Sequence, residues 1–137
     1  MTMDPVVHFE MPYEDAKRAT DFYASTFGWK AQQLGPEMGN YVVVATSKTD
    51  EKTKFPKEPG RINGGFFKNT KEKQYPSIVI AVEDIRASMK KVAAEGGTVL
   101  GGGQKAGEPD DIPGIGLFAS FIDTEGNRVG MLQPAAM

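Results

Sequence analysis

Ile78-Val-Ile-Ala-Val-Glu-Asp-Ile85 decides the fold, because the chain has already run through the same arrangement once. At Val7-His-Phe-Glu-Met-Pro-Tyr-Glu-Asp15 an extended run leads into Glu-Asp, and a helix-periodic segment follows. Glu14-Asp15 and Glu83-Asp84 stand at an offset of 69 (84 less 15), and Gly28 and Gly97 repeat that offset. In each case an Asp is placed to accept the first free N–H groups of a helix. A Gly follows where a left-handed residue ends it.

Working outward, Val6–Met11 reads as a strand that Pro12 closes, since proline cannot donate to a ladder. In the helix after Asp15, Ala16, Ala19, Phe22, Tyr23 and Phe27 share one face of a 3.6-residue period and are expected in the core. Trp29–Leu34 and Asn40–Thr46 are strands around the turn Gly35–Gly39. Ser47–Pro59 is a charged, solvated loop. Arg61–Lys68 is a strand whose Gly64-Gly65 marks the close approach of another backbone or a ligand. Asn69–Gln74 is a linker. Pro76–Val82 is a strand, and Ile85, Met89, Val92 and Ala93 form the apolar face of a helix ending at Gly96-Gly97. Thr98–Leu100 begins a strand expected to continue past the glycines. Glu108–Gly114 is a loop, Ile115–Ile122 a strand, Asp123–Asn127 a turn and Arg128–Gln133 the last strand.

The order is strand–helix–strand–strand–strand, twice. Two units are too few for a solenoid. The expected fold is therefore α+β: two tandem βαβββ modules, about 1–70 and 75–134, forming a curved mixed sheet around a cleft in one domain of 137 residues.

The composition excludes several functions. With 16 Lys+Arg against 18 Asp+Glu, there is no basic cluster for phosphate backbones, so no nucleic acid is expected. No stretch approaches the roughly 18 apolar residues of a membrane span, and the acidic N-terminal segment resembles no secretory leader. A cytoplasmic protein is expected. The absence of cysteine removes disulfides, thiolate metal sites and a Cys nucleophile. No G-x-G-x-x-G, Walker or G-x-S-x-G motif occurs, and nothing supports a Ser-His-Asp triad built on the one His, His8.

Four stretches carry a resemblance: Val7–Asp15 with Ala19-Thr-Asp-Phe-Tyr-Ala-Ser-Thr-Phe-Gly-Trp29; Ile78–Ile85; Pro113-Gly-Ile-Gly-Leu-Phe-Ala119; and Phe121-Ile-Asp-Thr-Glu-Gly-Asn127, with Thr124 where the related turn has Pro. Together they resemble the vicinal oxygen chelate superfamily of glyoxalase I, bleomycin resistance proteins and extradiol dioxygenases. The resemblance implies a divalent metal held by His or Gln on the first strand of each module and Glu on the last. His8 matches the first position. Its counterpart seven residues before Asp84 is Ser77. The last-strand position of the second module, four residues after Gly126, is Gly130. Arg61–Lys68 contains no carboxylate, His or Gln.

No cofactor and no family-type metal are therefore expected. The function read here is a glyoxalase- or bleomycin-resistance-like protein binding a small planar or apolar molecule, and a homodimer is the expected assembly. The alternative is a lyase, isomerase or dioxygenase with an unusual divalent-metal site. It would use His8 and Glu10, which share a strand face, and these two are the candidate catalytic residues. A third reading is a partner-binding module whose cleft is filled. His8 reads plainly as a neutral, hydrogen-bonded histidine, and functionally as a ligand-binding or acid–base group. Glu10 reads as a base in an apolar cleft, as an orienter of the imidazole, or as half of an ion pair. The cleft residues are His8, Glu10, Tyr41, Phe66, Ser77, Phe118 and Gly130. Alternation places Phe66 and Phe67 on opposite faces. Gly101–Gly103 and Pro109–Pro113 flank one cleft mouth, as an ordinary exposed loop or a mobile lid.

Overall fold

The computed structural model describes residues 3–70 and 74–135. Contacts divide the chain into two compact units, His8–Ser77 and a second formed by Ile78 onward with the residues before His8. The N-terminal segment joins the later unit because Pro5 O accepts the Ala81 N–H at 2.9 Å.

The His8–Ser77 unit contains most of β1 (Val6–Tyr13), α1 (Ala16–Phe27), β2 (Lys30–Gln33), β3 (Val42–Ala45) and β4 (Asn63–Lys68). Its strand order is β2-β3-β4-β1, with β1 parallel to β4 and the other pairs antiparallel. Pro12 does not end β1; it lies within it, opposite Phe67. Tyr13 O accepts the Asn69 N–H, so Tyr13 turns its polar groups toward β4 and Pro12 turns away. The donor that Pro12 lacks is one that β4 never uses.

Asp15 caps α1 by accepting the Arg18 N–H at 3.0 Å, and Gly28 takes the left-handed conformation (φ 75°). A single 3-10 turn, Pro36–Met38, fills the connection between β2 and β3. The core on the α1 side joins Tyr13, Val42, Val44 and Phe66, with Ala16, Ala19, Tyr23 and Trp29 against it. Burying a side chain such as Phe66 contributes about 1.5–3 kcal/mol. Phe22 and Phe27 are a correction to the expected helix face, being 56% and 61% exposed. Phe22 stands on the flank, edge-on to Tyr23 at 5.0 Å between centroids. Phe27 is the last helical residue, and Tyr23 and Trp29 cover only part of its ring.

The second unit contains most of β5 (Ser77–Ala81), with α2 (Ile85–Ala94), β6 (Thr98–Gly101), β7 (Asp110–Ile112), β8 (Gly116–Ile122) and β9 (Arg128–Pro134). Its order is β5-β9-β8-β6, with β7 on β8, and β5 parallel to β9. Asp84 caps α2 through the Ala87 N–H (3.1 Å), and Gln133 Oε1 accepts the Ile85 N–H (2.9 Å). Ile85 and Met89 are buried against Val82, Ala119 and Met131. The first unit is βαβββ in order and the second is the same with the short β7 added between β6 and β8; the first strand of each is parallel to its last.

Three further expectations need correction. The 69-residue offset holds for the caps but not for the helix ends. Gly96 already takes the positive φ (99°), and α2 stops at Ala94. The strand at Thr98 does not continue past the glycines, because Gly101 (φ 82°) turns the chain out of β6. Within the expected loop Glu108–Gly114, Asp110–Ile112 is a strand antiparallel to β8. The Asp110 carboxylate accepts the N–H groups of Gly103 and Gln104 at 2.7 and 3.0 Å, pinning the glycine-rich turn. The linker expected over Asn69–Gln74 lies partly outside the described residues.

Candidate functional site

Alternation along β1 sends Phe9, Met11 and Tyr13 toward α1 and its core. His8 and Glu10 therefore point to the other face of the sheet, and their register partners on β4 are Asn63 and Gly65. Val43 on β3 pairs with Gly65, so Tyr41, two residues earlier, rises on that same face.

Tyr41 is what joins the two candidate residues. Its hydroxyl lies 2.9 Å from His8 Nε2. It also hydrogen-bonds to the Glu10 carboxylate, whose charge adds to burial in holding the phenol protonated, far above the ordinary tyrosine range. Burial pushes the His8 imidazole down to about 4, so it is neutral at physiological pH. His8, Tyr41 and Glu10 form one hydrogen-bonded chain of two neutral groups and one carboxylate partner. Glu10 meets the imidazole through the Tyr41 phenol.

The two adjacent glycines of β4 explain how the tyrosine fits. A Cβ at Gly65 would collide with the Tyr41 ring, and one at Gly64 with the ring of Phe9. What approaches the strand is a pair of aromatic rings, one on each face. Neither is the backbone or ligand that the Gly-Gly pair alone suggested.

The second unit repeats this arrangement with different chemistry. Gly130 on β9 pairs with Val79 on β5 and with Ser120 on β8. Val79 therefore stands where Glu10 stands (79 less 10 is again 69), and Phe118, two residues before Ser120, stands where Tyr41 stands. A Cβ at Gly130 would come within 2.9 Å of Phe118 Cε1 and 3.2 Å of Val79 Cγ2. A polar Glu–Tyr pair over Gly65 thus corresponds to an apolar Val–Phe pair over Gly130.

The expected site residues divide accordingly. The structure brings His8, Glu10 and Tyr41 together within one unit, and Phe118 with Gly130 in the other. Phe66 is not beside them: it is 2% exposed in the core on the α1 side, 5.4 Å from the Tyr23 ring. Ser77 opens β5, half-buried. Gly65 and Val79 were missed as site positions, because both emerge only once strand register is known.

A divalent ion held in the family manner does not fit these residues. The counterparts Gly65 and Gly130 have no donor side chain, and His8 Nε2 is turned to a phenol. No group of three His, Cys, Asp or Glu residues among those described converges on a common point.

Comparisons with known proteins agree with the architecture. The model of the bleomycin resistance protein-like N-terminal family matches residues 6–47. A glyoxylase-like domain-containing protein of Didymella fabae is 34% identical over 122 residues, 86% of this chain and 84% of that protein. A solved structure of methylmalonyl-CoA epimerase from Streptomyces coelicolor, in complex with 2-nitronate-propionyl-CoA, has a TM-score of 0.68 at 15% identity, covering 99% of this chain and 98% of that one. The epimerase of Mycobacterium tuberculosis has a TM-score of 0.65 at 14% identity, covering 95% and 87%. At those identities the likeness to the epimerases is one of fold. No helix among the described residues is long and apolar enough to cross a membrane.

Proposed function

Because the chain belongs to the glyoxylase-like proteins of the vicinal oxygen chelate superfamily, we propose that it binds a small planar or apolar molecule without a family-type catalytic metal. The binding face is the side of the β1–β4 sheet that bears His8, Glu10 and Tyr41. One observation carries this reading: the Tyr41 ring lies over Gly65, and its hydroxyl holds His8 Nε2. The side chains on that face are then a neutral imidazole, a protonated phenol, the Glu10 carboxylate and exposed Val43, an arrangement with a few fixed polar contacts for a small molecule. A homodimer belongs to the same reading. It is supported by the exposed Phe22 and Phe27 rings of α1, and a monomer in sedimentation at micromolar concentration would remove it.

The test is metal analysis of the purified, untagged protein by mass spectrometry. Calorimetric titration of Mn²⁺, Fe²⁺, Ni²⁺ and Zn²⁺ into wild type and His8→Ala follows. The expected result is no binding above that of a surface histidine, followed by thermal stabilisation with members of a planar, apolar ligand library. Stoichiometric metal binding that His8→Ala abolishes overturns the reading in favour of a metal enzyme using His8 and Glu10.

A further inference from the structure

The paired strands β8 and β9 carry a single charged residue between them, Arg128 at the start of β9. Arg61 and Arg86 face the carboxylates of Glu58 and Glu108 at 3.1 and 4.0 Å. Arg128 has no carboxylate within ion-pair distance among the described residues. Its side chain is exposed, but it runs back along the sheet: Nη2 donates to Ser120 Oγ at 3.4 Å, and that hydroxyl donates to Gly101 O at 3.4 Å. Ser120 is buried and pairs in register with Gly130. From the other side the Phe118 ring leans over Gly130, 2.9 Å from where a Cβ would stand. An exposed guanidinium and a half-buried phenyl ring thus converge on the Ser120–Gly130 row, which has almost no side chain of its own. A guanidinium has five N–H donors, and the contact with Ser120 uses one.

We propose that Arg128 and Phe118 form a carboxylate-binding site on the second unit, which takes a small planar monoanion with its carboxylate on the guanidinium and its flat body against the phenyl ring. The planar fork of N–H donors matches a carboxylate with two parallel hydrogen bonds. One cation on otherwise uncharged strands balances one negative charge, which fits a carboxylate better than a phosphate dianion. The phenyl ring supplies an apolar wall on which a flat body stacks. The site lies wholly in the second unit and goes beyond the reading of the His8 face, which can fail without it.

Benzoate is the probe, titrated into the whole chain and followed by ¹⁵N correlation spectra and calorimetry. It is expected to move the Arg128 Nε–H resonance and the amides of Ser120 and Gly130. Arg128→Gln, an exposed change that leaves the fold intact, weakens benzoate about tenfold or more. Benzamide keeps the shape without the charge; it binds wild type about tenfold more weakly than benzoate and is indifferent to Arg128→Gln. Acetate keeps the carboxylate without the ring and binds about fivefold more weakly. Arg18 on α1 is also exposed, and Arg18→Gln removes the same charge with no loss of benzoate binding. Equal benzoate affinity in wild type and Arg128→Gln overturns the proposal. So does benzamide or acetate binding as tightly as benzoate, or an equal loss in Arg18→Gln, the mark of a general charge effect. If benzoate moves only His8, Tyr41 and their neighbours, and Arg128→Gln leaves that binding intact, this site falls and the reading of the His8 face stands. Stoichiometric metal uptake abolished by His8→Ala would instead sink that reading, while the loss of benzoate in Arg128→Gln would still support this one.

Discussion

The Tyr41 ring occupies the space that any side chain at Gly65 would need. In the second unit the Phe118 ring lies over Gly130 in the same register relation. The duplicated module therefore places an aromatic ring, twice, over the last-strand position where the superfamily resemblance implies a coordinating Glu. The two copies differ in what the ring carries. A hydroxyl over Gly65 meets the first strand's His and Glu, whereas over Gly130 there is only the bare Phe118 ring, with Val79 on the paired strand.

Gly65→Ala tests the closer of these contacts. The added methyl meets the Tyr41 ring and hydroxyl directly, with Val43 and Glu10 on the flanking strands. Overpacking of this kind costs about 1–3 kcal/mol, read as a lower urea midpoint. In a Tyr41→Ala background the same substitution costs less, because the obstruction has gone. Additive effects in that double-mutant cycle would show that the ring does not lie over Gly65.

Tyr41 should also resist base. Burial and the Glu10 carboxylate both oppose formation of the phenolate. As pH rises past the ordinary tyrosine range near 10, folded wild type and folded Tyr41→Phe are expected to gain the same phenolate absorbance. They part only when the chain unfolds. An earlier difference between the two curves would mean that the hydroxyl is solvated and the Glu10 contact open.

The acid side belongs to His8. Its folded pKa of about 4 lies below the free value of 6.5. The unfolded chain therefore takes up the proton first as pH falls, and unfolding gains in that window. The resulting stability is fully present above 6.5 and is lost between 6.5 and about 4, a change of about 3 kcal/mol. Asp50 and Asp123 are held below the usual carboxylate range, chiefly by the Thr53 N–H and the Asn127 amide respectively, so they lose their contributions at lower pH. Subtracting the stability profile of His8→Gln, which keeps a partner for Tyr41, isolates the histidine. A difference profile that is flat from 7 to 4 would place the imidazole in water.

Much of this was legible in the sequence, and the reason is local. Asp15 and Asp84 announce their helices because capping is decided within four residues. The βαβββ repeat follows from the spacing of those caps. His8 and Glu10 share a face by strand alternation alone. What could not be read was anything set by register or by what covers a face. Tyr41 lies 33 residues from His8, and only the pairing of β3 with β4 brings it there. Phe66 obeys the alternation expected of it, yet alternation does not say which side α1 covers. Pro12 stays within β1 because its missing donor matters only where a neighbour would use it. The end of α2 is ambiguous from residue types because either glycine of Gly96-Gly97 can turn left-handed, and Gly96 does so first.

Gly130→Ala should be milder than Gly65→Ala, and the comparison reads the difference between the two modules. The new methyl lies 2.9 Å from Phe118 Cε1 and 3.2 Å from Val79 Cγ2. Phe118 is only half-buried and has no hydroxyl bonded to a neighbour, so its ring can tilt by a few tenths of an ångström. The expected cost is about 1 kcal/mol or less, without the loss of a buried hydrogen bond that displacing Tyr41 entails. His8 reports on the distinction independently: its imidazole resonances should move in Gly65→Ala, where the phenol is pushed off Nε2, and stay in place in Gly130→Ala. Equal destabilisation with equal perturbation of His8 would mean that the Tyr41 hydroxyl contributes nothing specific to the first module.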